Sequence, residues 1–188
     1  IDRDELEAEL DNNLGFYYFT LGRYKEAEEN IKRSVDWFTK TYGRHHLRTA
    51  VPLSNLALVY HEIGAYERAR RLFKLNLKIS RSTVGDKHLF TSIDMANLAG
   101  LLMDAGDLEE AMGLYEQTLA LTSELLGKNH PYTAVDHSNL ALAYAADGQY
   151  ERAEDHLKAA IVIINQTPGA IALLGTSAFQ NLGGVYID

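Results

Sequence analysis

Asparagine recurs at Asn13, Asn55, Asn97, Asn139 and Asn181, one every 42 residues. Each is followed by a leucine (Leu14, Leu56, Leu98, Leu140, Leu182) and then by glycine or alanine (Gly15, Ala57, Ala99, Ala141, Gly183). In the same register glycine recurs at Gly22, Gly64, Gly106 and Gly148, and again at Gly43, Gly85, Gly127 and Gly169. Alanine recurs at Ala27, Ala69, Ala111 and Ala153. A histidine–threonine pair returns as His46/Thr49, His88/Thr91 and His130/Thr133. Self-similarity at a fixed period is the mark of a repeat architecture, in which each unit buries its apolar face only against its neighbours.

Each unit reads as two helices. In the clearest copy the first runs from Pro131 to Ala146. Proline suits a first helical position, where its missing N–H has no partner to lose. His130 or Asn129 is placed to cap this helix, and Gly148 to stop it. The second helix is expected over Glu151 to Asn165, with its apolar stripe at Ala153, Leu157, Ala160, Ile161 and Ile164. The recurring small residues let paired helices approach closely. Tyr18, Tyr60, Tyr144 and Tyr186, with Leu102 in the third copy, fill the seam.

Leu140-Ala141, Tyr144, Gly148, Tyr150 and Ala153 together resemble the tetratricopeptide repeat. The 42-residue period and the linker Leu-Gly-Lys-Asn-His-Pro at 126–131 resemble the kinesin-light-chain class of that repeat. The resemblance implies an all-α, right-handed superhelix of four helix pairs plus the first helix of a fifth. The repeats then fall at about 5–46, 47–88, 89–130 and 131–172, with a partial copy at 173–188, in a single array that is a fragment of a longer protein. The pattern departs from the family at the position three before the leucine. The frequent tryptophan is replaced there by Asp11, Leu53, Met95, His137 and Phe179.

In such a solenoid the first helices line the concave side. Helical spacing places Asn13, Asn55, Asn97, Asn139 and Asn181 on that face, with Val51, Leu58, Ile93, Val135 and Leu142 beside them and Glu62 and Asp104 at its edge. An amide offers a donor and an acceptor, as every peptide unit does, so a ladder of asparagines matches a bound backbone whatever its side chains. The alternative is that each amide bonds to a neighbouring helix or to water.

The stretches 7–20, 49–62, 91–104, 133–146 and 177–188 contain no lysine or arginine. A groove that clamps a terminal carboxylate or an acidic peptide needs paired cations. The expected partner is therefore a protein or peptide that is neutral or basic, with apolar side chains. A separate cluster, Arg71, Lys74, Lys78 and Arg81, shares one helical face and reads as a solvated outer surface or a secondary docking patch.

Other functions find little support. The formal net charge of −8 disfavours nucleic acid. Apolar runs such as Ala159 to Ile164 fall far short of a membrane span. The absence of cysteine removes thiol chemistry and fits a cytoplasmic setting. His46, His88 and His130 lie one repeat apart, about 10 Å between helix layers, too far to share an ion, so no metal is expected. No catalytic or phosphate-binding motif occurs, and no cofactor is expected. The leading reading is a non-catalytic interaction module. The alternative is an assembly or regulatory spacer that contacts its own parent protein's domains or self-associates.

Overall fold

The computed structural model describes residues 3–166. They form eight helices: α1 (Arg3–Thr20), α2 (Tyr24–Tyr42), α3 (Leu47–Glu62), α4 (Tyr66–Thr83), α5 (Leu89–Asp104), α6 (Leu108–Leu126), α7 (Pro131–Ala146) and α8 (Tyr150–Gln166). No strand occurs among the described residues. The expected fifth-repeat helix, with Asn181 and Tyr186, lies outside them, as do Phe179 and Leu182.

The chain divides into two compact units, residues 1–85 and 86–188. The first holds the helix pairs α1/α2 and α3/α4, the second α5/α6 and α7/α8. Within each unit the second helix of the leading pair also packs on the first helix of the next, α2 on α3 and α6 on α7.

The turn inside each pair is built the same way four times. The N–H of Gly64 bonds to the carbonyl of His61 (2.9 Å), and that of Ala65 to Tyr60 (2.8 Å). Gly22/Arg23, Gly106/Asp107 and Gly148/Gln149 repeat this pattern. It is the two-bond helix stop that needs a left-handed residue, and the glycines have φ from 70° to 86°.

The linkers between pairs are equally uniform. Nδ1 of His46, His88 and His130 accepts the backbone N–H two residues on, at Arg48, Phe90 and Tyr132 (3.1–3.2 Å). Each histidine thereby satisfies one of the unpaired donors at a helix start. Threonine closes the joint from the other side: the hydroxyls of Thr49 and Thr133 donate to the carbonyls of Gly43 and Gly127 (2.8 Å).

Packing explains the recurring small residues. Ala27, Ala57, Ala69, Ala99, Ala111 and Ala141 have no exposed surface. Gly15 stands where the next three repeats have alanine. A Cβ there would lie 2.5 Å from Cγ1 of Ile31, so α1 and α2 approach more closely than an alanine permits. Tyr60, Tyr144 and Leu102 are buried in the seams, as expected.

The second helix of the last complete pair differs slightly from its expected stripe. It buries Ala153, Leu157, Ala160 and Ile163, while Ile161 is exposed on the flank. Ile163 packs with Ala160 against Ala134 of α7, and Ile164 sits at the edge of that cluster. The 3-residue steps from 157 to 163 hold the stripe on α7, where the longer step to 164 would carry it off that helix.

Candidate functional site

The proposed contact face can be followed in each unit separately. In the first, Asn13 and Glu62 are exposed, Val51 is 59% exposed, and Asn55 and Leu58 are half-buried. The Asn55 amide nitrogen donates to Oδ1 of Asn12 (2.9 Å), and Asn12 is itself buried. This amide is therefore engaged by a neighbouring helix through its donor.

In the second unit Ile93 is 47% exposed, Asp104 is exposed, and Asn97, Val135, Asn139 and Leu142 are half-buried. Ile93, Asn97, Val135 and Asn139 come together at a pocket of about 220 Å³. Its walls are one face of α5 and one face of α7, and Thr118 and Thr122 of α6 reach between them. Asn181 lies outside the described residues. Arg71, Lys74, Lys78 and Arg81 are all exposed on α4, away from that unit's core.

The pocket has a polar back that the sequence reading did not single out. Asp136 lines it and is only 6% exposed. The Thr122 hydroxyl bonds to its carboxyl group, while Oδ2 has no hydrogen-bond partner. Oγ of Ser92 lies 2.9 Å from Oγ1 of Thr122. Either hydroxyl can donate in that second bond. Burial pushes the Asp136 carboxyl up to about 6, and the Thr122 hydrogen bond only partly opposes this. A signal for these residues was present. Asp94 and Asp136 share one register position, four residues before Leu98 and Leu140, and an acid on an otherwise buried helical face is unusual.

A second, more open cavity of about 560 Å³ lies along α6 and α8. Glu116, Tyr144, Arg152 and His156 line it. The Arg152 guanidinium stands 3.9 Å from the Tyr144 ring centre, and the Tyr144 hydroxyl donates to Glu116. Nδ1 of His156 is 2.8 Å from Nδ1 of His137, so one ring donates and the other accepts. Burial, then the charge of His156, lowers His137 to about 4. His156 is lowered as well, by burial and then by Arg152. No group of three or more metal-ligating side chains occurs among the described residues.

Comparison with known proteins agrees with this architecture. A family model of the tetratricopeptide repeat matches residues 6–82 and 90–164. Among curated proteins, none matches the sequence significantly. A Podosopora anserina protein described as a kinesin light chain of nearly identical TPR-like repeats is 25% identical, with a TM-score of 0.79 over 99% of this chain and 88% of that one. A second structure of such repeats from the same organism gives 25% identity and a TM-score of 0.77, over 95% of this chain and 84% of that one. BtubC (BKLC) from P. vanneervenii shares the fold at 22% identity and a TM-score of 0.77. The alignment covers 85% of this chain but only 63% of BtubC.

Proposed function

The chain belongs to the tetratricopeptide repeat family, and we propose that it is a non-catalytic interaction module holding a peptide or partner segment against its first helices. The observation that carries this reading is the pocket between α5 and α7. It gathers Ile93, Asn97, Val135 and Asn139, which belong to different repeats, into one accessible surface. Asn97 and Asn139 would meet the ligand backbone, and Ile93, Val135 and Leu142 its apolar side chains. Val51 and Leu58 would extend the contact in the first unit, where Asn55 keeps its acceptor oxygen for a ligand. Glu62 and Asp104 at the helix ends favour a neutral or basic segment. A cytoplasmic setting fits the cysteine-free composition. No described helix is long and apolar enough to cross a membrane.

The test is partner capture with the wild-type chain and an Asn55/Asn97/Asn139→Ala triple variant, after circular dichroism shows equal helicity. Loss of capture in the variant supports amide contacts. Unchanged capture assigns the asparagines to the scaffold.

A second reading, self-association or contact with another domain, is favoured by one feature of α1. Leu6, Leu10, Leu14, Tyr17 and Leu21 form a continuous exposed apolar stripe at helical spacing. Mass measured against concentration tests it: a rising mass favours this reading, and a constant monomer favours the groove.

A further inference from the structure

We propose that the pocket between α5 and α7 accepts a basic side chain, lysine or arginine, from the bound segment, and that Asp136 is its counter-charge. The inference rests on the interaction-module reading and names the residue that sets its selectivity. Three observations carry it.

The first is an incomplete polar group. Asp136 is nine-tenths buried, one carboxylate oxygen is held through Thr122, and Oδ2 has no partner. A buried carboxylate with an unused oxygen is costly, and it is retained at low cost only where a cation or donor reaches it.

The second is the charge balance of the walls. Neither α5 nor α7 contains a lysine or arginine. Lys87, just before α5, is held 2.6 Å from Glu124. The exposed Asp104 adds a further negative charge at the end of α5. The surface around the pocket is therefore complementary to a cation supplied from outside.

The third is shape. Leu89, Ile93, Tyr132 and Val135 of the lining are exposed or half-buried, while Ser92, Thr122 and Asp136 are buried, so a largely apolar mouth leads to a polar back. Lysine and arginine have this same order of parts, an aliphatic stem ending in a charged head. A volume of about 220 Å³ holds one such side chain but no larger element. The half-buried amides of Asn97 and Asn139 flank the mouth, where the backbone carrying that side chain would run.

The experiment selects peptides from a displayed random dodecamer library on the 188-residue chain. Affinities are then measured for a selected peptide and for its copy with the basic residue replaced by norleucine, against wild type and Asp136→Asn. The expected pool carries lysine or arginine at one fixed position. Norleucine weakens wild-type binding at least tenfold. Asp136→Asn weakens the basic peptide at least tenfold and the norleucine peptide less than threefold, so the two changes are not additive. The wild-type pool and the norleucine comparison need no variant, so they decide the matter even if Asp136→Asn folds poorly. If peptides bind saturably but show no basic requirement or strictly additive losses, the counter-charge role is wrong while the interaction module stands. If no peptide binds saturably, the groove reading fails and this inference falls with it.

Discussion

The two units place the same backbone framework around the same location and fill it differently. In the second unit the space between α5 and α7 is bordered by Ala96, Thr122, Asp136 and Asn139 and stays open. Eighty-four residues earlier, two repeats back, the same register positions are Asn12, Phe38, Pro52 and Asn55. There the buried Phe38 ring takes the place of the Thr122 hydroxyl, and Pro52 replaces the acid. Asn12 bridges to Asn55 across the gap. At the rim Glu5 and Arg48 form an ion pair, supported by the Tyr42 hydroxyl 3.0 Å from Glu5, where the second unit has Leu89 and Tyr132. The residues that return in every repeat build the joints of the solenoid, and those that do not return make the lining of one gap differ from that of the other.

The largest expected effect comes from removing the buried ring at this register position of the first unit. Phe38→Ala should cost roughly 3–5 kcal/mol in urea unfolding, the range for a fully packed aromatic. A loss below about 1 kcal/mol would mean that the ring does not seal the gap.

Asp136→Asn should act in the opposite direction and depend on pH. The folded state raises this carboxyl from 3.8 to about 6, so the folded chain binds the proton more tightly than the unfolded one. Its contribution to stability therefore falls as pH rises from about 4 to 6, and the penalty is complete above that window. The variant should gain up to about 3 kcal/mol at pH 7.5 and nothing at pH 3.5, because each pKa unit is worth about 1.4 kcal/mol. An equal gain at both values would remove charge burial as its cause.

His137 supplies the opposing slope in the same unit. Its pKa falls from 6.5 to about 4 on folding, so the stability it contributes is lost as pH drops through that interval. His137→Gln should flatten the acid limb of the stability curve, and an unchanged limb would place the titration elsewhere.

Ala96→Asn tests whether the filling alone distinguishes the units. It copies Asn12 into the second unit, opposite Asn139. The new amide bridge should close the pocket and weaken a basic peptide at least tenfold, with a stability change within about 1 kcal/mol. Undiminished binding would show that the pocket mouth is not the route to Asp136.

The smallest effect is expected at the bridge itself. Asn12→Ala leaves the Asn55 amide without its acceptor but within reach of water, at a cost of about 1 kcal/mol by thermal unfolding. A null result would mean that the amide pair adds nothing beyond packing.

This contrast also explains what was legible in the sequence. The Pro131–Ala146 helix and its Gly148 stop followed from local chemistry, and of the two candidate caps, His130 and Asn129, the structure has His130. The candidate contact face was found by periodicity, which brought Ile93, Asn97, Val135 and Asn139 to one pocket. Periodicity is blind to departures from itself. Thr122 and Asn12 do not recur, and Asp136 recurs only once, as Asp94, so a search for residues that return in every copy passed over them. Ile163 was missed in favour of its neighbour Ile164 because steps of three and of four from Ala160 both fit a helical stripe. Only the position of Ala134 decides between them.

The linkers have a consequence for how such a protein can change. Each of the three junctions among the described residues starts its next helix by one rule, a histidine ring on the backbone N–H two residues on. The joint is thus standardised while the walls are free to differ. A segment such as 47–88 can be exchanged for 89–130 without redesigning either splice, because both begin after a capping histidine and end on one. A chain built on that principle varies the walls of its gaps by exchanging cassettes, and because each gap draws its lining from two neighbouring repeats, its chemistry depends on which cassettes stand side by side.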